Sequence, residues 1–296
     1  MGKDLAETFP EARAVFEAAD DALGMSLSRV MWEGPEDLLT RTDHTQPAIL
    51  VHSAAVWAVV GERLGPSVAA GAGHSLGEYS AYVAAGALPA AEAAKLVRRR
   101  GELMHEAGTT RPGTMAAVMG LDTDAVMRVC QEASGAGGTV VAANQNEPSQ
   151  TVISGDPEAV ARAGEMLKAA GAKRVIALKV SGAFHSPLMA PAQPGLEQAL
   201  AAAPMRDPAF PVVANATAAP VRDAGSAKAQ LSAQLVSPVR WIECTRQLAS
   251  LAGEGGRFVE IGPGTVLSGL ARRIVPGATT VSLGTAGEVR AFLEAA

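Results

Sequence analysis

The chain has 296 residues, enough for one large single-core domain or for a domain carrying a smaller insert. Hydrophobic residues at 48% and charged residues at 19% exclude a disordered chain, and 31 glycines and 18 prolines scattered without a period exclude collagen-like and low-complexity classes. The formal net charge is −5 with no basic run, and the longest apolar stretch, 48–60, is interrupted by His52 and Ser53, so neither nucleic acid nor membrane is an expected partner.

Two cysteines, Cys130 and Cys244, are too few and too far apart for a disulfide framework. They read as reduced thiols in a cytoplasmic protein. The first seven residues, Met-Gly-Lys-Asp-Leu-Ala-Glu, lack the apolar region of a secretory signal, and Ala6 stands where myristoylation wants Ser or Thr.

In chain order, helices are expected over 10–23, ending at Gly24, and over 46–64, with Pro47 near its first turn and His44 in a polar loop ahead of it. The apolar run 68–72 reads as a short strand, followed by helices over 78–85 and 89–105, the latter ending near Gly108. From Thr114 the rhythm changes. Strands over 114–119, 139–143, 151–154 and 174–180 interleave with helices over 122–133 and 156–170, the second with Asp156 at its N-cap and Pro157 behind it. That β-α-β-β-α-β order is the signature of a ferredoxin-like unit. Beyond it, helices are expected over 188–202, 224–235, 239–252 and 265–275, with strands over 210–215 and 258–261. Strands alternating with helices imply a mainly parallel sheet covered on both faces. The expected architecture is therefore α/β: a large hydrolase-like body from 1–110 and 182–296, and a small ferredoxin-like subdomain inserted at 111–181.

The strongest chemical signal is Gly73-His74-Ser75-Leu76-Gly77, a G-x-S-x-G motif between an apolar run and a helix. Such a turn exposes the serine hydroxyl and aims the following N–H and a helix N-terminus at developing negative charge. A serine hydroxyl needs a base. Of five histidines, His74 adjoins the serine, His44 lies in the polar loop, and His52 and His105 sit in helical patterns. His185 lies in the loop 181–189 just after a strand, where α/β enzymes carry catalytic groups, and is the favoured base. No acid stands out between residues 75 and 185, so a backbone carbonyl is an alternative third group. Arg98, Arg99 and Arg100 are consecutive on a helix and fan over about 200°, so at most one can face a pocket. An inward arginine would suit a carboxylate-bearing substrate.

Several segments together resemble the malonyl-CoA:acyl-carrier-protein transacylases and the acyltransferase domains of fatty-acid and polyketide synthases. They are Thr45-Gln-Pro-Ala48, Gly73-His-Ser-Leu-Gly-Glu-Tyr-Ser80, Arg100-Gly101, Asn144-Gln-Asn146 with Gln150, Gly182-Ala-Phe-His185, Gln234 with Ser237-Pro-Val-Arg-Trp241, and Glu260-Ile-Gly-Pro-Gly264. The resemblance implies that Ser75 is acylated, His185 is its base, the Gln234 main-chain carbonyl orients the imidazole, and the Leu76 N–H serves the oxyanion. It implies further that Arg100 binds the malonyl carboxylate and that Phe184 narrows the pocket against α-branched acyl groups. Gln46, His74, Asn144 and Asn146 would line the substrate site. Malonyl-CoA and acyl carrier protein are the implied partners, with no cofactor and no metal, and a monomer is expected. Lys173, Arg174, Arg272 and Arg273 are candidates for docking an acidic carrier protein. Members of that family open with an apolar strand and a Gly-Gln-Gly-x-Gln loop; here Met1-Gly-Lys-Asp-Leu5 resembles the segment after it, and a truncated or misassigned start is expected. Two other functions fit the same elbow: an acyl-CoA thioesterase or serine esterase, and a catalytically impaired carrier-protein-binding homologue.

Overall fold

The computed structural model describes residues 1–180 and 182–295; Ser181, in the loop expected to carry the base, lies outside them. The chain starts with five helices: α1 (Lys3–Thr8), α2 (Pro10–Leu23), α3 (Leu27–Glu33), α4 (Glu36–Thr40) and α5 (Thr42–Leu64). α2 has the expected bounds, with Pro10 opening it and Gly24 closing it in the left-handed conformation at φ 62°. α5 begins four residues before the expected start, so His44 sits in its first turn, buried, and not in a loop. The helix carrying 48–60 is long and apolar enough to cross a membrane by length and composition, which corrects the expectation from the interrupted stretch; 56% of its apolar window is buried inside the fold. It packs against α2 and against α7 (Ala90–Thr110).

The run 68–72 is not a strand. Gly71 makes a single parallel bridge with Val212, its N–H donating to Pro211 O and its carbonyl accepting from Val213 N–H. With one edge bonded at a single residue, the segment stays extended without a ladder. α6 (Gly77–Ala84) follows the turn, and α7 runs through Gly108 to Thr110 because its last turns bury Ala107 and Gly108.

Residues 114–177 form a four-stranded antiparallel sheet of β1 (Thr114–Met119), β2 (Val140–Glu147), β3 (Gln150–Gly155) and β4 (Arg174–Ala177), in the order β2-β3-β1-β4. α8 (Thr123–Gly135) and α9 (Pro157–Ala169) close a separate apolar core around Val118, Val126, Cys130, Ile153 and Leu167. β2 extends four residues further than expected, through Asn144–Glu147, because β3 pairs with it up to the two-residue turn at Pro148-Ser149. Asp156 precedes α9 without capping it. Its carboxylate accepts from the Thr139 N–H at 2.7 Å and meets Arg111.

After Ser186 the chain makes the 3₁₀ turn Pro187–Ala192 and then α10 (Gln193–Ala202), so the expected helix over 188–202 is divided where Pro191 and Pro194 remove backbone donors. The expected strand 210–215 is only β5 (Val212–Val213), antiparallel to β6 (Pro220–Val221). α11 (Ala224–Gln234), α12 (Trp241–Ala252), β7 (Arg257–Ile261) and α13 (Val266–Ile274) match expectation closely. β8 (Thr279–Leu283) and α14 (Ala286–Glu294) were not foreseen, although Thr285 and Glu288 form a capping box that the pattern T-x-x-E announces. Among the described residues the parallel sheet of the body consists of β7 with β8, together with the bridges Gly71–Val212 and Asn144–Val239. The whole is a mixed α/β fold. Both cysteines are buried and their thiols are pushed up to about 12 by burial, which suits a packing role.

α5 and α7 cross closely at Gly101, where a Cβ would stand 2.7 Å from both Asp43 Cα and Thr42 O. Backbone on the other side cannot yield cheaply. Gly101→Ala should lower stability by about 1–3 kcal/mol, seen as a lower urea midpoint with unchanged slope.

Candidate active site

The turn that carries Ser75 is made by glycine and strain. A Cβ on Gly73 would lie 2.0 Å from the Gly77 carbonyl, so only glycine lets the chain double back this tightly. Ser75 itself has φ 52°, left-handed and uncommon for a non-glycine residue. Asn215, just past β5, clamps the turn from both sides. Its Nδ2 donates to Gly73 O at 2.8 Å, and its Oδ1 accepts the Ser75 N–H at 2.7 Å. The next N–H, of Leu76, stands at the head of α6, and among the described residues it meets no acceptor.

His185 reaches this serine across 110 positions of sequence. Its Nε2 lies 2.7 Å from Ser75 Oγ, and its Nδ1 lies 3.0 Å from the main-chain carbonyl of Gln234. A carbonyl can only accept, so Nδ1 carries the proton and Nε2 offers its lone pair to the serine O–H. His185 is buried at 3% exposure and also left-handed, at φ 56°. Burial, and after it the Arg100 charge, push its pKa down to about 3 against the pull of the Gln234 carbonyl. The ring is therefore neutral at ordinary pH, with the Nε2 lone pair free to accept a proton. Among the described residues no carboxylate is bonded to it.

Of the three consecutive arginines only Arg100 is fully buried; Arg99 pairs with Glu102 at the surface, and half-buried Arg98 pairs with Glu102 and with buried Asp43. Arg100 Nη2 donates to Ser75 Oγ at 3.1 Å and to Gln234 Oε1 at 3.0 Å, and Nη1 donates to Gln46 Oε1 at 2.5 Å. Its guanidinium lies 5.6 Å from the centroid of the Tyr79 ring, and its Nε–H is buried without a partner. Burial holds its pKa below the usual arginine value.

The remaining expected residues surround this group. His74 Nε2 lies 2.9 Å from Asn146 Oδ1, and its ring lies 5.6 Å from that of Trp241. Burial lowers its pKa. Asn144 Oδ1 is buried without a partner at the wall of the cleft. Phe184 forms another part of that wall with Met115, Leu178 and Val180. The cleft opens into a cavity of about 1010 Å³, which continues between the segment 68–73 and β7 and is mostly apolar. Of the basic candidates for docking, Arg273 is paired with buried Glu147 and Arg272 with Thr280. Among the described residues no group of three His, Cys, Asp or Glu side chains could hold a metal ion.

Two residues of the site escaped the sequence analysis as site residues. Asn215 carried a weak signal, a polar residue at the end of an apolar strand. Glu78 carried a stronger one, a charge inside the apolar helix that follows the elbow. It is fully buried, and its Oε2 accepts from the Asn215 N–H at 2.9 Å and from Gln234 Nε2 at 2.8 Å.

An activated serine in a cleft with a buried cation suits transfer or hydrolysis of an anionic acyl group. Comparison with known proteins narrows the class. The acyl transferase domain family model matches residues 1–285. The malonyl CoA-acyl carrier protein transacylase of Bacillus subtilis is 44% identical over 274 residues, covering 93% of this chain and 86% of its own, and that of Escherichia coli K12 is 40% identical over 294 residues, covering 99% and 94%. The acyl carrier protein S-malonyltransferase of Vibrio cholerae superposes with a TM-score of 0.93 at 40% identity, covering 99% of this chain and 94% of that one. A malonyl-transacylase solved in complex with a type II polyketide-synthase acyl-carrier protein superposes equally well, at 0.93 and 40% identity, over 99% of this chain and 94% of that one. With both fold and sequence matched over nearly the whole length, the chain belongs to the acyl transferase domain family.

Proposed function

We propose that the chain is an acyltransferase that moves a malonyl group from malonyl-CoA to the pantetheine thiol of an acyl carrier protein, through a malonyl ester on Ser75. The observation that carries this is the meeting, in one cleft, of Ser75 Oγ with His185 Nε2 at 2.7 Å and with Arg100 Nη2 at 3.1 Å. The names of the relatives, malonyl CoA-acyl carrier protein transacylases, support the same substrate pair.

In the first half-reaction Ser75 Oγ attacks the thioester carbonyl as its proton passes to His185 Nε2. The oxyanion forms beside the Leu76 N–H. Collapse of the adduct breaks the C–S bond, and the departing CoA sulfur takes the proton from Nε2. In the second half the pantetheine thiol gives its proton to Nε2 and its sulfur attacks the ester carbonyl. The C–O bond then breaks and Ser75 recovers the proton. Every proton goes through one neutral imidazole, and these steps call on no cofactor.

The Arg100 guanidinium, whose Nη2 already stands 3.1 Å from Ser75 Oγ, is placed to meet a carboxylate on the acyl group. Gln46 and Gln234 hold the guanidinium in place for it. Phe184 on the cleft wall narrows the space beside the acyl α-carbon, and Asn144, with an unpaired Oδ1, and His74 line the arm that leads to it. Asn146 acts through His74. We read the architecture as a hydrolase-like body, 1–110 and 182–296, with a ferredoxin-like subdomain at 111–181. The antiparallel strand order β2-β3-β1-β4 and the separate apolar core of that unit support this division.

Exposure to malonyl-CoA without a thiol acceptor should leave a malonyl adduct on Ser75, visible by intact mass and absent in Ser75→Ala. Rapid CoA release with no acceptor and no adduct would favour the esterase instead. Arg100→Ala should slow malonyl transfer about 10- to 100-fold, the loss of a charge-assisted contact worth about 1.5–3 kcal/mol, with a much smaller effect on acetyl transfer. Equal losses for the two donors would remove the carboxylate clamp. Phe184→Ala should raise the methylmalonyl-to-malonyl ratio of kcat/KM, measured by competition between the two thioesters.

A further inference from the structure

We infer that Glu78 is a positioning residue of this site: its buried carboxylate holds Asn215 and Gln234 in register, and its charge offsets Arg100 so that His185 can accept the Ser75 proton. The inference rests on the acyl-transfer chemistry above and assigns a role to a residue that chemistry does not use.

One oxygen of Glu78 makes both bonds. Oε2 takes the Asn215 N–H and the Gln234 amide, and those two residues hold everything else in place. Asn215 clamps the elbow at Gly73 and Ser75. Gln234 bonds the His185 ring through its carbonyl, Arg100 through Oε1, and the Ser75 carbonyl through Nε2. Glu78 therefore touches no reacting atom but lies one residue from each of them. The arrangement could have been built with a neutral side chain, because two N–H donors ask only for an oxygen. A carboxylate at 0% exposure is a costly choice unless its charge is used.

The neighbours show what the charge faces. On α6 itself these are Tyr79, pushed up to about 12 by burial, and Tyr82, pushed higher still. On α12 it is Cys244, pushed up to about 12, and from α7 it is Arg100. The tyrosines and the thiol are neutral at ordinary pH, and so is His185, so Arg100 is the one charged neighbour among the described residues. Its positive charge, beside Ser75, disfavours the imidazolium that must form on His185. An ionised Glu78 cancels part of that opposition. Burial pushes the Glu78 carboxyl up to about 7, against the pull of the Asn215 N–H, the Gln234 amide and Arg100. Below that pH the carboxyl takes a proton and the offset is lost, so acylation should slow as pH falls through neutrality. The sign for stability is opposite. Between 4.5, its ordinary value, and about 7 the folded state holds more protons than the unfolded, so Glu78 lowers stability as pH rises through that window, and a neutral replacement removes the penalty.

The test is Glu78→Gln, which keeps an oxygen for both donors and removes the charge. Two rates are followed between about pH 6 and 8.5: malonyl transfer, and covalent labelling of Ser75 by a fluorophosphonate, which needs no malonyl recognition. In the wild type both should fall as pH drops through about 7. In Glu78→Gln both should be about 10- to 100-fold slower at the alkaline end, with the inflection gone, KM for malonyl-CoA largely kept, and thermal stability at alkaline pH no lower than wild type. Wild-type rates with the inflection intact in Glu78→Gln would overturn the inference. Should the variant not fold, the wild-type labelling profile decides: an inflection near neutrality supports the role, and a flat rate over that range overturns it. Normal labelling without malonyl turnover would defeat the acyl-transfer function and leave the Glu78 test standing.

Discussion

The main-chain carbonyl of Gln234 accepts the Nδ1–H of His185, and the rest of the site depends on that bond. Gln234 is the last residue of α11, and the last carbonyls of a helix have no intrahelical partner. The fold spends one of these orphan acceptors on the imidazole. The same terminus carries the negative end of the helix dipole, which favours the cationic form of the ring when it takes a proton. A helix end thus supplies both the orientation and the partial charge that an aspartate supplies in other serine enzymes. Because the acceptor is backbone, it is as rigid as α11 itself. The side chain of the same residue is then free to bind the Ser75 carbonyl, Glu78 and Arg100 at once.

The site is assembled under strain and away from water. Ser75 and His185 are both left-handed, and both are stabilised by neighbours that leave them no alternative: Asn215 on either side of the elbow, and Gln234 against the ring. Burial does the chemical tuning. It keeps His185 neutral, as the proposed role of a base requires, and it strengthens every contact that Arg100 makes with Ser75, Gln46 and Gln234.

What was legible in the sequence followed local rules. The turn at Gly73–Gly77 was readable because only glycine tolerates the contact with the Gly77 carbonyl, and α2 because Pro10 and Gly24 punctuate it. That at most one of the three arginines could face a pocket followed from helical geometry; that it is Arg100 came from the resemblance. The interleaved strands and helices of 114–177 were readable in order, because each segment has clear periodicity and turn residues at its ends. What was lost depends on pairing over distance. The segment 68–72 is apolar and extended, but its ladder partners are remote, and it touches Val212 only once. β8 lacks a distinct pattern until β7 is beside it. Asn215 and Glu78 gave little away for the same reason. Their partners are 137 to 156 positions distant, and nothing local says that a charge in an apolar helix will be met by an amide from the other end of the chain.

Arg100 and Gly101 are neighbours in sequence, and each is constrained from a different direction. The glycine lets α7 lie directly on the backbone of α5, and that contact sets the depth at which the guanidinium stands behind Ser75. The cation cannot be shifted along or around its helix without breaking that close crossing. On the proposed reading of the site, a change of acyl preference falls away from α7 and onto the loop that ends in Phe184, where a cleft wall can be recast one residue at a time while Arg100 stays put.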